Sequence, residues 1–316
     1  ARSPYKVTGI NLKAMPLGEA DLILTMLTPE RGLIRVVASG ARKPKSKIGG
    51  RSRLFVVNQL LIRPGRNLDR IGQAELAVSY PGLSRDLGRL AAAQYWSELV
   101  LSQALSEQPQ SELFDTLLDY LKQLDSLVIA PTFEERVTAL LALLCHGIYH
   151  LLRVAGVAPQ VQSCGLTQKP VVIGEDPRWR IGFSAAIGGV VALDALDRAS
   201  PAMLAGHGVQ VPELEGGDFS SSGGDSEQGE TVRLNPRTKA KFMPRSLTAR
   251  EVTLLQSLAL PKLDPTMQNT LPQQDSRQNF LAWVQIERAL RHYAQYHLGK
   301  GIRSATLIDT YTQTRP

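Results

Sequence analysis

Cysteine is scarce in this 316-residue chain, which contains only Cys145 and Cys164. Two cysteines cannot build a disulfide framework, and this excludes the small secreted scaffolds that disulfides hold together. The apolar run from Ala139 to Cys145 is far shorter than the about 20 residues that a membrane-spanning helix needs. The first residues also lack the apolar core of a signal peptide. The sequence therefore predicts a cytoplasmic protein without a membrane segment.

Motifs of the common enzyme classes are missing as well. We find no glycine-rich phosphate loop ending in Lys-Ser/Thr, no nucleophile elbow and no pair of carboxylates in a catalytic arrangement. His146 and His150 have the spacing of a zinc-protease pair, but the residues between them lack the glutamate that serves as general base. We predict no catalytic residue and interpret both histidines as satisfied core or surface residues. A metal-dependent hydrolase remains a third hypothesis, which metal analysis would test.

Acidic residues are absent from Arg31–Arg53, which we call the basic segment. From Arg31 to Arg70 the chain has eleven basic residues and one acidic residue, a local net charge of +10. The whole chain carries +7, so the remaining sequence sums to −3. The basic character is therefore local, as expected for a binding site rather than for general solubility.

The first 80 residues have the pattern of a small β-barrel. Five short stretches rich in β-branched and apolar residues are separated by turns that contain glycine or proline. A closed barrel is favoured because an open five-stranded sheet would leave two bare edges. The five-stranded barrel best known for binding oligonucleotides is the OB-fold, although an SH3-like barrel fits the same pattern. The predicted strands are Tyr5–Ala14, Ala20–Leu27, Leu33–Ser39, Leu54–Ile62 and Leu68–Ser79.

From residue 81 the spacing of apolar residues becomes helical. We predict a helix capped by Ser84, another after Ser111, and a central, buried helix that begins at the capping box Thr132–Glu135. A second capping box, Thr248–Glu251, opens a further helix, and the last helix runs from Ser276 to Gly299.

The predicted organisation is an α+β multidomain fold, in which an N-terminal five-stranded barrel precedes an α-helical domain. The barrel occupies residues 1–80, and residues 81–158 and 246–316 form the two parts of the helical domain. Residues 159–211 form an irregular insertion. Residues 212–245 form an acidic, Gly/Ser-rich insert, which we predict to be disordered because it cannot bury enough apolar area to fold.

We predict that the basic segment and the hairpin after it bind nucleic acid; the alternative is a solvated surface turn. Between residues 1 and 80 the only aromatic residues are Tyr5, Phe55 and Tyr80, few for a surface that stacks bases. Phosphate contacts should therefore carry most of the affinity, with little preference for base or strandedness. The rival hypothesis is an RNA- or ribosome-associated barrel protein. The predicted DNA-binding residues are Arg31, Arg35, Arg42, Lys43, Lys45, Lys47, Arg51, Arg53, Arg66 and Arg70.

Short motifs occur at both ends of the chain. Near the amino end they are Gly18–Asp21 (GEAD), Leu27–Gly32 (LTPERG) and Val37–Ser46 (VASGARKPKS). Gln73–Glu75 (QAE) follows near the end of the barrel, and Tyr296–Lys300 (YHLGK), with Arg303 and Ser304 after it, lies near the carboxyl end. Together these motifs resemble the bacterial RecO family over most of the chain, apart from the acidic insert.

The resemblance implies a recombination mediator in DNA repair, built from an N-terminal OB-fold and a helical domain with a zinc-ribbon-like insertion. It also implies binding of single- and double-stranded DNA and annealing of complementary strands. With RecR, family members help to load RecA onto DNA coated by single-strand-binding protein, and they dock the acidic, apolar tail of that protein on the helical domain. Arg136 and Arg153, near the leucines of the third helix, are our candidates for that contact.

One departure from the family pattern concerns zinc. Many relatives hold zinc with two Cys-x-x-Cys pairs, whereas here Cys164 keeps one cysteine of the first pair and Thr167 stands at the other position. No second pair occurs from Phe183 to Leu193. Since a four-cysteine site cannot be completed, we predict a degenerate, metal-free insertion and no cofactor.

Overall fold

The computed structural model describes residues 3–128, 130–199, 244–262 and 276–313. Its N-terminal part is a closed barrel with the strand order β1-β2-β3-β5-β4. Neighbouring strands pair antiparallel except β3 and β5, whose short parallel pairing joins Val36 to Asp69 and Val37 to Arg70. The predicted five-stranded OB-fold barrel is confirmed. Its strands are β1 (Tyr5–Leu17), β2 (Asp21–Thr28), β3 (Gly32–Ala38), β4 (Val57–Arg63) and β5 (Asp69–Val78).

The fourth strand begins three residues later than the predicted Leu54. Gly50–Ser52 forms a short 3₁₀ turn, and Phe55 has a φ of 62°, in the left-handed region where a strand cannot continue. Val57 is therefore the first residue of β4, and it pairs with Ile10 of β1.

The helical part begins after a 3₁₀ turn at Pro81–Arg85. The prediction that Ser84 caps the first helix is wrong, because Ser84 lies inside this turn and its hydroxyl donates to the Pro81 carbonyl. The cap is Asp86, whose carboxylate accepts a hydrogen bond from the backbone N–H of Arg89 at 2.8 Å. Helices α1 (Leu87–Gln103) and α2 (Ser111–Asp125) follow.

Helix α3 (Phe133–Val154) is the centre of the helical part. Its predicted capping box at Thr132 and Glu135 is confirmed, and it ends before Gly156, whose φ is 74°. Of its 22 residues, 15 are buried, and it packs against α1, α2 and a long C-terminal helix. Although α3 is long and apolar enough to cross a membrane, most of its apolar window is buried by these neighbours. It therefore has the burial of a core helix, as predicted.

The C-terminal elements pack onto this centre. They are α5 (Ala249–Ser257), α6 (Ser276–Leu298) and α7 (Ala305–Gln313), and α5 begins at the predicted capping box of Thr248 and Glu251. On α6 the side chains of Trp283 and Leu290 are fully buried.

The region predicted as irregular contains a small sheet. Strands β6 (Arg180–Ser184) and β7 (Gly189–Val191) form a hairpin, and the short helix α4 (Leu193–Arg198) follows. Strand β8 (Arg245–Thr248) pairs with β6, so the sheet combines chain from both sides of residues 200–243. Nearly all of the predicted acidic insert lies outside the described residues.

One hydrophobic cluster spans the barrel and the helices, and a second cluster lies within the barrel alone. Ile10 and Phe55 of the barrel are buried in the same cluster as Trp96 of α1. A hydrogen bond of 3.1 Å from the Ser97 hydroxyl to the Leu12 carbonyl also joins α1 to β1. Strands give way to helices near residue 80, but the packing is continuous across that point.

Candidate nucleic-acid interface

The loop that joins β3 to β4 spans residues 39–56 and is fixed at its start. The Gly40 N–H donates to the Asp21 carboxylate at 2.7 Å, and the Arg42 N–H donates to the Ala20 carbonyl at 2.9 Å. The Arg42 guanidinium also donates to the Gly18 carbonyl at 2.9 Å. These bonds attach the β3–β4 loop to the turn between β1 and β2.

The end of the loop is fixed by two buried asparagines. The Asn11 amide donates to the carbonyls of Arg51 and Arg53 at 2.6 and 2.8 Å, and the Asn58 amide donates to the Arg51 carbonyl at 2.9 Å. Asn11 and Asn58 are at most 1% exposed, and buried amides are costly unless they are hydrogen-bonded. The sequence did not lead us to predict either asparagine as a site residue. A single asparagine inside an apolar strand pattern nevertheless indicates a buried amide that must hydrogen-bond to nearby backbone.

Between these two attachments the chain makes consecutive tight turns. The N–H groups of Lys43, Ser46 and Gly49 each donate to the carbonyl three residues earlier, at 3.1 to 3.2 Å. The side chains of Ala41 and Ile48 point inward and pack on the barrel core. Because apolar side chains hold the loop down, its cationic side chains are left on the outside.

The exposed cations of this surface have no acidic partner within the described residues. By contrast, Arg178, Arg198 and Arg291 elsewhere in the chain form ion pairs with carboxylates. Such a group of unpaired cations repels itself and attracts polyanions. The predicted DNA-binding residues with exposed, unpaired side chains are Arg35, Arg42, Lys43, Lys45, Lys47, Arg53, Arg66 and Arg70.

Two predicted residues are half-buried and have structural contacts. The Arg31 guanidinium lies 4.6 Å from the ring centroid of Tyr5, in the turn between β2 and β3. The Arg51 guanidinium donates to the Lys47 carbonyl at 2.9 Å, inside the loop. Their part in DNA binding stays a prediction.

The hairpin between β4 and β5 is not directly beside the β3–β4 loop. Strand β4 separates the two by its own length, about 20 Å for seven residues. The parallel pairing nevertheless brings Arg70 next to Val37, near the start of the loop. Arg70 therefore extends the cationic surface along β5, whereas Arg66 lies in the hairpin beyond it.

Arg136 and Arg153 lie in the first and last turns of α3. Seventeen residues of helix separate them, which corresponds to about 25 Å along the axis. The structure therefore does not bring these two arginines together in one pocket. The tail contact assigned to them stays a prediction.

Cys164 does not lie among zinc ligands. Burial acts to raise its pKa, but hydrogen bonds from the Thr167 hydroxyl and from nearby backbone N–H groups lower the pKa below its usual value. Its sulfur accepts the N–H of Ala192 at 3.4 Å and packs in a small cluster with Ile187 and Val191. No group of three or more His, Cys, Asp or Glu residues with metal-binding geometry occurs in the described ranges. The residues present here do not fit a four-ligand zinc site.

The histidine pair on α3 is satisfied by one carbonyl. The Nε2 atoms of His146 and His150 lie 3.0 and 3.1 Å from the Leu260 carbonyl, to which both must donate because a carbonyl only accepts. The Tyr120 hydroxyl is 2.6 Å from Nδ1 of His146, which accepts in this tautomer. Burial and the neighbouring His150 lower the pKa of His146 to about 4. Both rings are buried and hydrogen-bonded, in agreement with the interpretation that they are satisfied core residues.

Comparison with known proteins gives a consistent result. Residues 3–80 match the family model of the Recombination protein O N terminal region, and residues 84–199 match that of the Recombination protein O C terminal region. The chain is 45% identical over 311 residues to the DNA repair protein RecO of Trichodesmium erythraeum, covering 98% of this chain and 95% of the relative. It is 40% identical over 307 residues to the DNA repair protein RecO of Synechococcus elongatus, covering 97% and 95%.

Proposed function

The chain belongs to the RecO family of DNA repair proteins, and from this membership we propose that it is a non-enzymatic, DNA-binding recombination mediator. It binds single- and double-stranded DNA through phosphates and anneals complementary strands. Together with RecR it helps to load RecA onto DNA coated with single-strand-binding protein. It acts in the cytoplasm, at the nucleoid.

The observation that supports DNA binding is the set of unpaired cations on the β3–β4 loop. Arg42, Lys43, Lys45 and Lys47 are exposed on a loop that the barrel fixes at both ends. Lysine and arginine contacts with phosphates release condensed counterions, and this entropy gain drives sequence-independent binding. Because the fixed loop loses little conformational entropy on binding, a larger part of this gain is retained in the binding free energy.

The same surface provides a mechanism for annealing. Two complementary strands repel each other through their phosphates, and a cationic surface that contacts both lowers this repulsion. The basic segment contains no aromatic residue on which bases could stack. Bound bases therefore stay available to pair with the second strand.

The proposal is tested by replacing Arg42, Lys43, Lys45 and Lys47 together by alanine. We expect weaker single-strand binding and a shallower salt dependence, because each lost phosphate contact removes about 0.7 from the slope of log K against log salt. Four lost contacts would remove about 2.8. Fluorescence anisotropy of a labelled oligonucleotide at several salt concentrations measures this slope.

A matched control removes the same formal charge elsewhere. Four exposed cations outside the barrel, replaced together by alanine, should leave the slope unchanged. Equal slopes for the loop variant and the wild type would contradict the proposal. The control residues are Arg85, Lys122, Lys169 and Lys262.

An RNA- or ribosome-associated role is the second candidate, because phosphate contacts alone do not distinguish RNA from DNA. Competition between DNA and RNA strands of the same sequence separates the two. Annealing of DNA coated with single-strand-binding protein, with and without the loop substitutions, then tests the mediator role. Failure to anneal coated DNA, together with preferred RNA binding, would favour the rival.

The protein contacts are proposed from family membership. RecR and the tail of single-strand-binding protein are the expected direct partners, and the effect on RecA is indirect. Arg136 and Arg153 stay candidates for the tail contact. Because they lie at opposite ends of α3, Arg136→Ala and Arg153→Ala should be tested separately for binding of a tail peptide.

A further inference from the structure

An open cleft of about 800 Å³ lies between the barrel and the helices. Its walls are the second half of β1, one face of α1 and the loop between α6 and α7. Leu54 also lines it, directly after the exposed Arg53 at the end of the β3–β4 loop. The cleft therefore begins where the cationic surface of the barrel ends. Clefts of about 300 to 1,000 Å³ can bury a ligand of the size of a nucleotide.

The charged side chains that line the cleft are mainly positive. Lys13, Lys300 and Arg303 are exposed, and none of them forms an ion pair in the described part of the chain. Glu98 is the one acid among the described lining residues, so the net charge of the lining is +2. Such a lining attracts phosphate more than an acidic or neutral ligand.

Glu98 supports the loop that carries two of these cations. Its carboxylate accepts the backbone N–H of Arg303 at 2.6 Å and that of Ser304 at 3.1 Å, just before α7 begins. Gly299, with a φ of 65°, ends α6 and starts this loop. The loop is thus fixed at its start by the Gly299 turn and at its end by the Glu98 carboxylate, and the side chains of Lys300 and Arg303 are exposed.

We propose that this cleft is a second phosphate-binding site, across which a nucleic-acid strand continues from the β3–β4 loop to Lys300 and Arg303. The inference rests on the proposed DNA-binding function and extends the binding surface from the barrel onto the helical part. Leu12, Leu54 and Leu101 give the cleft an apolar floor, on which sugar and base edges can lie. None of the described lining residues is aromatic, so the contacts there are with phosphate and sugar rather than by base stacking, and phosphate contacts carry no sequence information.

The first test is the double substitution Lys300→Ala with Arg303→Ala in the full chain. Both side chains are exposed, so folding should be preserved. Two lost phosphate contacts should lower the salt slope for a single-stranded oligonucleotide by about 1.4 and the affinity in 0.1 M salt by about 25-fold. The matched control, Arg85→Ala with Lys122→Ala, removes the same charge elsewhere and should change neither value.

A second test locates the strand directly. Both native cysteines are buried, so Arg303→Cys gives one accessible thiol for a photo-crosslinker. A crosslink to a bound oligonucleotide at position 303, and none in the labelled control Lys122→Cys, would support the site. An unchanged slope and no crosslink at position 303, in a protein whose binding still depends on the β3–β4 loop, would overturn the inference alone. If the four-alanine variant of the β3–β4 loop bound the oligonucleotide with the same salt slope as the wild type, the proposed function would be overturned instead.

Discussion

At the residue scale, two buried asparagines determine how the candidate site is held. Asn11 and Asn58 share the Arg51 carbonyl as an acceptor, and Asn11 also binds the Arg53 carbonyl. The sequence alone identifies the cationic residues, because the charge of a side chain does not depend on contacts with distant residues. The asparagine contacts span up to 42 residues, and no periodic pattern reports such a distance.

Replacing Asn11 by alanine should therefore destabilise the protein and loosen the loop. The Arg53 carbonyl would lose its side-chain donor, whereas the Arg51 carbonyl would keep the hydrogen bond from Asn58. Since one unsatisfied group costs about 1–3 kcal/mol, we expect the free energy of unfolding in urea to fall by about that amount. Hydrogen exchange of the amides between residues 49 and 56 should also accelerate. Asn67→Ala, at an exposed asparagine in the β4–β5 hairpin, is the control and should have little effect. Equal stabilities for the two variants would contradict this account.

His146 gives the protein a specific dependence of stability on pH. Its pKa is about 4 in the folded state, against about 6.5 in an unfolded chain, so the unfolded state binds more protons between these values. Stability should therefore fall as the pH falls, by about 2 kcal/mol from this residue between pH 6.5 and pH 5. Urea titrations at a series of pH values measure the slope. It should become smaller in His146→Gln, because glutamine does not titrate, and an unchanged slope would contradict this account.

At the element scale, the predictions that succeeded rest on short-range patterns. The capping boxes of α3 and α5 join residues three positions apart, and both occur where the sequence indicates them. The predicted cap of α1 was wrong because Ser84 lies inside the 3₁₀ turn after Tyr80, and Asp86 caps the helix instead. The pairing of β8 with β6 crosses more than 50 residues, so local patterns could not predict it.

The capping box of α3 can be tested by exchanging Thr132. Thr132→Ala removes the oxygen that accepts the Glu135 N–H at 3.2 Å, whereas Thr132→Ser keeps it. We expect a loss of about 1 kcal/mol in unfolding free energy for alanine and a much smaller change for serine. Chemical denaturation of the two variants measures the difference. A serine variant as unstable as the alanine variant would show that the methyl group, not the cap, stabilises this end.

At the scale of the whole molecule, the barrel and the helical part share a hydrophobic cluster and several backbone hydrogen bonds. The chain after α1 runs along the edge of β3, where the Leu33 N–H donates to the Leu105 carbonyl at 2.9 Å. The Gln110 N–H donates to the Pro29 carbonyl at 2.9 Å, on the neighbouring turn. The change from strand to helix near residue 80 is visible in the sequence. The contact of β3 with residues 105 and 106 is not, because it depends on the direction in which α1 leaves the barrel.

Gly32 lies at this junction and allows a direct test of it. Its φ is 63°, and a Cβ there would collide with the Leu105 carbonyl, a backbone atom that cannot rotate away. Gly18 has a similar φ of 59° but no atom within 4 Å of such a Cβ. Both alanine variants bear the left-handed backbone cost of about 1–2 kcal/mol. Only Gly32→Ala adds the overpacking cost, typically about 1–3 kcal/mol. Gly32→Ala should therefore have the clearly lower unfolding free energy in urea, and equal losses would mean that the barrel does not depend on its contact with the helices.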